Sequence, residues 1–123
     1  MNKCPFCSID KKRIILKNKK CYSVYDNYPV SKGHSLIILN QHISNFFDLT
    51  FEQKYSTINL LSKMEIFLKE KFKPAGFNIG ININKPAGQT IDHVHIHLIP
   101  RYKNDVKDPT GGVRNIIPSR GKY

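Results

Sequence analysis

The chain has 123 residues, a formal charge of +11, 40% hydrophobic residues and 11% aromatic residues. That composition fits one domain large enough to bury a core and excludes disorder by composition. No run of about 18 apolar residues occurs, so no membrane span is expected. The opening stretch MNKCPFCSIDKK has no apolar signal region, so the expectation is a soluble, cytoplasmic protein.

The positive charge has two readings, a polyanionic partner or a solvated lysine-rich surface. The lysines are scattered, without the aromatic–basic ladder of a nucleic-acid platform, so nucleic acid is not expected as a partner. Cys4, Cys7 and Cys21 cannot pair evenly within one chain, and reduced thiols are expected. Cys4-x-x-Cys7 is therefore a candidate metal half-site or redox pair, and Cys21 a small core residue. No repeat or linker divides the chain, so residues 1–123 read as one domain with a tail from about residue 103.

In chain order, residues 13–17 (RIILK) and 21–26 (CYSVYD) predict two strands joined by a hairpin turn at NKK. A loop punctuated by Pro29 and Gly33 follows, then a third strand over 34–40. Residues 42–47 predict a short helical turn. Thr50 and Gln53 form a capping box that starts a long helix over 51–71. Tyr55, Ile58, Leu61, Met64 and Leu68 supply its expected core stripe. Residues 77–83 (FNIGINI) alternate as a fourth strand, and HVHIHLIPR, from residue 93, is a fifth. The expected class is α+β, with a five-stranded, mainly antiparallel sheet covered by one long helix and a short one.

The fifth strand raises the question of chemistry. Side chains alternate with period two, so His93, His95 and His97 share one face and Val94, Ile96 and Leu98 take the core face. Three imidazoles on one face suit a metal site or nucleophilic catalysis. For catalysis, one ring nitrogen attacks while an acceptor on the other fixes the tautomer. The preceding AGQT stretch, residues 87–90, adds backbone N–H groups and a hydroxyl suited to phosphate oxygens, and Gly88 permits close approach.

His93-Val94-His95-Ile96-His97-Leu98-Ile99 resembles the signature of the histidine-triad (HIT) superfamily, His-φ-His-φ-His-φ-φ with φ apolar. GFNIGIN with AGQT, PVSKGHSLII and the initial CPFC extend the resemblance over about residues 4–102. The resemblance implies a homodimeric nucleotide hydrolase or transferase, with the substrate cleaved at its α-phosphorus. His95 matches the nucleophile that forms a nucleotidyl-histidine intermediate. His97, Asn82, Gly88, Gln89 and Thr90 match the phosphate site, and His34 the supporting histidine. Asp26 matches the ribose-binding acid, while Phe6, Val24 and Leu36 match the walls around the base. An exposed acid and three core residues are the alternative reading of those four. Some bacterial members bind structural zinc at positions matching Cys4, Cys7, His42 and His93, so zinc is expected here. No divalent ion is required for the chemistry, although a polyphosphate substrate would bring Mg²⁺. The competing function is a basic metal-binding module that holds nucleotides or nucleic acid without turnover.

Overall fold

A computed structural model describes residues 3–123. Strands β1 (Cys21–Tyr25), β2 (Ser35–Leu39), β3 (Gly76–Gly80) and β4 (His95–Arg101) form one antiparallel sheet in the order β1-β2-β4-β3. Helix α1, Phe51–Phe72, lies across one face. The sheet has four strands, not the five expected. Residues 13–17 run beside β1 but make only an isolated bridge, Lys17 to Tyr22. The physical reason is a bulge. Ile15 donates to the Ser23 carbonyl while the Ser23 N–H donates to Leu16, so two residues oppose one. The Ser23 hydroxyl then takes the Leu16 N–H, which a regular ladder would use. The turn itself forms as expected, with Asn18 and Cys21 exchanging bonds across Lys19 and Lys20.

The start of α1 follows its sequence. Thr50 accepts from the Gln53 N–H at 3.1 Å and the Gln53 side chain accepts from the Thr50 N–H at 2.9 Å. A cap of this kind contributes about 1 kcal/mol. The helix ends at Lys73, which turns left-handed with φ of 53°.

The core stripe departs from expectation. Gln53, Thr57, Leu60, Met64 and Leu68 are buried, whereas Tyr55 and Ile58 are exposed and Leu61 is half-buried. Two buried polar residues replace two apolar ones because their groups are satisfied. Gln53 donates to Gln41 and Thr57 donates to the Lys54 carbonyl. Leu60, Met64 and Leu68 pack on Cys21, Ile37, Leu39, Val94, Ile96 and Leu98. Full burial of each large apolar side chain is worth about 1.5–3 kcal/mol. The short helix expected at 42–47 is a single 3-10 turn at Phe46–Asp48, capped by Asn45.

The opposite face of the sheet carries the histidines. Ile38 pairs with His95 and Leu36 with His97 across β2 and β4. Paired residues share a face, so the imidazoles lie in a floor of Tyr22, Val24, Leu36 and Ile38, with Phe6 packed on it. Two 3-10 turns, Gly112–Ile116 and Pro118–Arg120, end the chain, the first packing beside β3. Among the described residues, no helix is long and apolar enough to cross a membrane.

Candidate functional site: two histidine clusters on one face

The sheet and the N-terminal loop gather the candidate residues into two clusters joined through His95. The first comprises Cys4, Cys7, His42 and His93, one ligand atom from each lying within 4.8 Å of all the others. His93 Nδ1 stands 3.4 Å from Cys4 Sγ, 3.6 Å from Cys7 Sγ and 3.1 Å from His42 Nδ1, and Cys7 Sγ is 3.2 Å from His42 Nδ1. A tetrahedral ion with bonds of about 2.3 Å to sulfur and about 2.0 Å to nitrogen requires ligand separations of about 3.3–3.8 Å. The donor set therefore fits such an ion. His93 is fully buried, and its Nε2 lies 2.6 Å from the Leu39 carbonyl. A carbonyl only accepts, so Nε2 carries the proton and Nδ1 presents a lone pair to the cluster.

The second cluster comprises Asp26, His34 and His97. His34 Nε2 is 3.0 Å from His97 Nδ1 and 3.4 Å from Asp26 Oδ2. These spacings also fit a metal, but the backbone decides otherwise. The Val30 N–H donates to His34 Nδ1 at 3.1 Å, so His34 Nε2 must carry the proton of the neutral ring. A protonated nitrogen is no ligand. His34 instead donates to His97 Nδ1, which leaves the proton of neutral His97 on Nε2. Burial drives both rings toward neutrality. It lowers His34 against the pull of Asp26, and it lowers His97 to about 4, helped by His95 and His34 and opposed by Asp26.

Between the clusters stands His95. Its Nδ1 is 2.8 Å from the backbone carbonyl of His93. That acceptor puts the proton on Nδ1 and leaves the Nε2 lone pair free. Phe6, inside the Cys4–Cys7 loop, sets its ring edge-on to His95 at 5.0 Å, and the Tyr22 hydroxyl donates to the Phe6 carbonyl at 2.6 Å. His95 and His97 ring centroids are 5.3 Å apart. The arrangement can place an unprotonated nitrogen and an N–H donor on one electrophile.

The remaining expected residues divide. Asn82 and His97 line one open cleft of about 350 Å³. Gly88 lies beside Asn82 with φ of 97°, a backbone shape that favours glycine. Asp26 is half-buried and accepts from the Tyr28 N–H at one carboxylate oxygen, with the other beside the histidines. Val24 is fully buried, and Phe6 and Leu36 are at most 8% exposed, so the three form floor with little surface open to a ligand. The Gln89 amide is fully engaged, donating to the Ser44 and Ile91 carbonyls and accepting from the Asn84 N–H. Gln89 braces the loop, and contact with a phosphate would require breaking one of those bonds. Thr90 is exposed and lines a pocket with Cys4 and His42, on the side of the first cluster. The sequence reading missed Val30 and Leu39, whose backbone groups set two histidine tautomers, because a main-chain partner leaves no residue-type signal.

Comparison with known proteins agrees with this geometry. The HIT domain family profile matches residues 9–104. A HIT-like protein of Mycoplasma pneumoniae is 32% identical over 107 residues, covering 83% of this chain and 74% of that one. The bis(5'-adenosyl)-triphosphatase of Saccharomyces cerevisiae is 34% identical over 98 residues, covering 78% of this chain but only 48% of its own length. The crystal structure of a HIT family protein from Bacillus anthracis superimposes with a TM-score of 0.78 at 33% identity, covering 85% of this chain and 77% of that one.

Proposed function

This chain belongs to the HIT domain family, and from that premise we propose that it is a hydrolase that cleaves a nucleotide at its α-phosphorus through a nucleotidyl-histidine intermediate. The observation that carries the reading is the bond from His95 Nδ1 to the His93 carbonyl, which leaves Nε2 as an unprotonated nucleophile. His95 Nε2 attacks phosphorus, and the bond to the leaving group breaks. His97 Nε2–H donates to a phosphoryl oxygen, its proton held in place by the relay from Val30 through His34. Such a preset donor needs no reorganisation when charge develops. Water then attacks the phosphorus, releases the nucleoside monophosphate and restores His95.

Asn82 and the backbone at Gly88 hold the phosphate, and Asp26 accepts from the ribose hydroxyls. Thr90 and Gln89 act as loop residues around that site, while Phe6, Val24 and Leu36 form the floor beneath the base. The named activity of the yeast relative supports phosphoanhydrides of the diadenosine polyphosphate type, whose Mg²⁺ arrives with the substrate. Phosphoramidate nucleotides are cleaved by the same chemistry.

The ion at Cys4, Cys7, His42 and His93 is zinc, favoured by two thiolates and two imidazoles in tetrahedral spacing. It supplies a tie between the N-terminal loop and the start of β4. The active form is a homodimer, supported by the free ladder edge of β3 and by exposed Ile79 along it.

The test is a rapid-quench reaction with a diadenosine polyphosphate, followed by mass spectrometry of the peptide containing His95. An adenylylated His95 that forms and decays at the turnover rate is expected. Turnover with His95→Asn at the wild-type rate would refute the mechanism. Bound nucleotide without product would favour a binding module.

A further inference from the structure

The turn that carries Cys4 and Cys7 touches both clusters' shared neighbour, His95. The Cys7 N–H donates to the Cys4 carbonyl at 3.2 Å, which closes a β-turn with Phe6 inside it. The two cysteines are reduced, and their sulfurs stand within 4.8 Å of each other and of ring nitrogens of His42 and His93. Phe6 is buried, with its ring edge-on to His95 at 5.0 Å and to His93 at 5.9 Å. Apart from the cluster, the Tyr22 hydroxyl holds this turn, through the Phe6 carbonyl.

The geometry of the pair suits oxidation as well as metal. Cα atoms across a β-turn lie less than about 7 Å apart, and disulfides span about 4.4–6.8 Å, so the sulfurs can close to about 2 Å with little backbone movement. Cys7 is exposed, and the half-buried Cys4 lines an open pocket of about 340 Å³ beside His42. A small oxidant therefore has access to both sulfurs. A bound metal keeps both cysteines as thiolates, the form that reacts. Cys21 is the contrast: it is fully buried, and burial pushes its thiol up to about 11, so it stays protonated and out of reach.

We propose that Cys4 and Cys7 form a peroxide-sensitive pair, whose disulfide expels the metal and loosens Phe6 from its place against His95. This rests on the zinc and hydrolase readings above. The exposed Cys7 thiolate attacks one oxygen of hydrogen peroxide, and the O–O bond breaks to give a sulfenic acid and hydroxide. The Cys4 thiolate then attacks the Cys7 sulfur, so the S–S bond forms and the S–O bond breaks, releasing a second hydroxide. The two sulfurs lose two electrons, the peroxide gains them, and two protons from solvent turn the hydroxides into water. A disulfide offers no thiolate, so His42 and His93 alone are left to the cluster, too few to hold the ion. His95 keeps the His93 carbonyl, so the chemistry survives and the floor beneath the base is what weakens.

The experiment uses the full chain, with its zinc content and its turnover of diadenosine triphosphate measured before any oxidant is added. Equimolar hydrogen peroxide follows, with a chromogenic zinc indicator present, and peptide mapping by mass spectrometry reads the thiols. Release of about one zinc per chain is expected, together with a Cys4–Cys7 disulfide and unmodified Cys21. KM should rise about two- to ten-fold, the factor an aromatic edge contact supplies, while kcat changes by less than about two-fold. Dithiothreitol with added zinc should restore both the metal and KM, and Cys21→Ser should respond as wild type does. Thiols that stay reduced, a disulfide form that keeps its zinc, an unchanged KM in that form, or a response lost in Cys21→Ser overturns the proposal. A chain that takes up no zinc before oxidation refutes the zinc reading, and one without turnover at that stage refutes the hydrolase reading. This proposal falls with either premise, and because both are measured before the peroxide, their failure is told apart from failure of the switch.

Discussion

Lowering the pH should destabilise this protein through His97. The ring is neutral because burial depresses its pKa from 6.5 to about 4. Between those values the unfolded chain binds a proton that the folded chain refuses, so stability rises with pH across the window. The stabilisation is fully present above about pH 6.5 and is lost as pH falls toward 4. At about 1.4 kcal/mol per unit, the total is about 3 kcal/mol, of which about 2 kcal/mol is gone by pH 5. Urea unfolding of wild type and His97→Gln, run side by side from pH 7.5 to 4, isolates the effect. Groups remote from the cluster are common to both proteins and cancel in the difference, which leaves His97 together with the neighbours coupled to it, His34, His95 and Asp26. The wild type should lose about 2 kcal/mol relative to the variant by pH 5. Parallel stability curves, with a constant difference at every pH, would show that His97 titrates normally and would refute the neutral relay.

Three further outcomes follow. His95→Asn should abolish nucleotide turnover yet melt within a few degrees of wild type, because the Asn amide can still donate to the His93 carbonyl; a large fall in melting temperature would contradict this. Purified protein should contain about one zinc per chain by elemental analysis, and Cys7→Ser should lower both zinc content and melting temperature; metal-free protein with an indifferent Cys7→Ser variant would sink the zinc assignment. Met64→Ala should cost about 2–5 kcal/mol in urea unfolding, since Met64 is fully buried and takes a bond from the Ser23 hydroxyl; a loss below 1 kcal/mol would mean that the interface under α1 is loosely packed.

The legible parts of this molecule were those encoded by neighbours in sequence. Alternation put His95 and His97 on one face, and Thr50 with Gln53 marked where α1 begins. The stripe of α1 was misread because hydrophobicity stood in for burial. Gln53 and Thr57 enter the core with local partners, while Tyr55 and Ile58 face outward. The lost strand at 13–17 turned on a single serine hydroxyl that competes with the ladder. The candidate site was partly legible. The CPFC loop and the triad are recognisable locally, but their contact spans 89 residues from Cys4 to His93 and is visible only in three dimensions. Gln89 was assigned by motif to a phosphate, yet its amide is tied to three backbone groups that no local pattern announces.

His93 serves two masters with different parts of itself. Its ring joins the cysteine cluster, whereas its main-chain carbonyl positions His95. Every amino acid carries that carbonyl, and only a few carry a metal-binding ring. The two duties are therefore separable by mutation. A change of side chain at position 93 would alter the cysteine cluster and leave His95 its acceptor, provided packing holds the backbone in place. Loss of the four-residue cluster and loss of the His95 tautomer are therefore two separate events at one position.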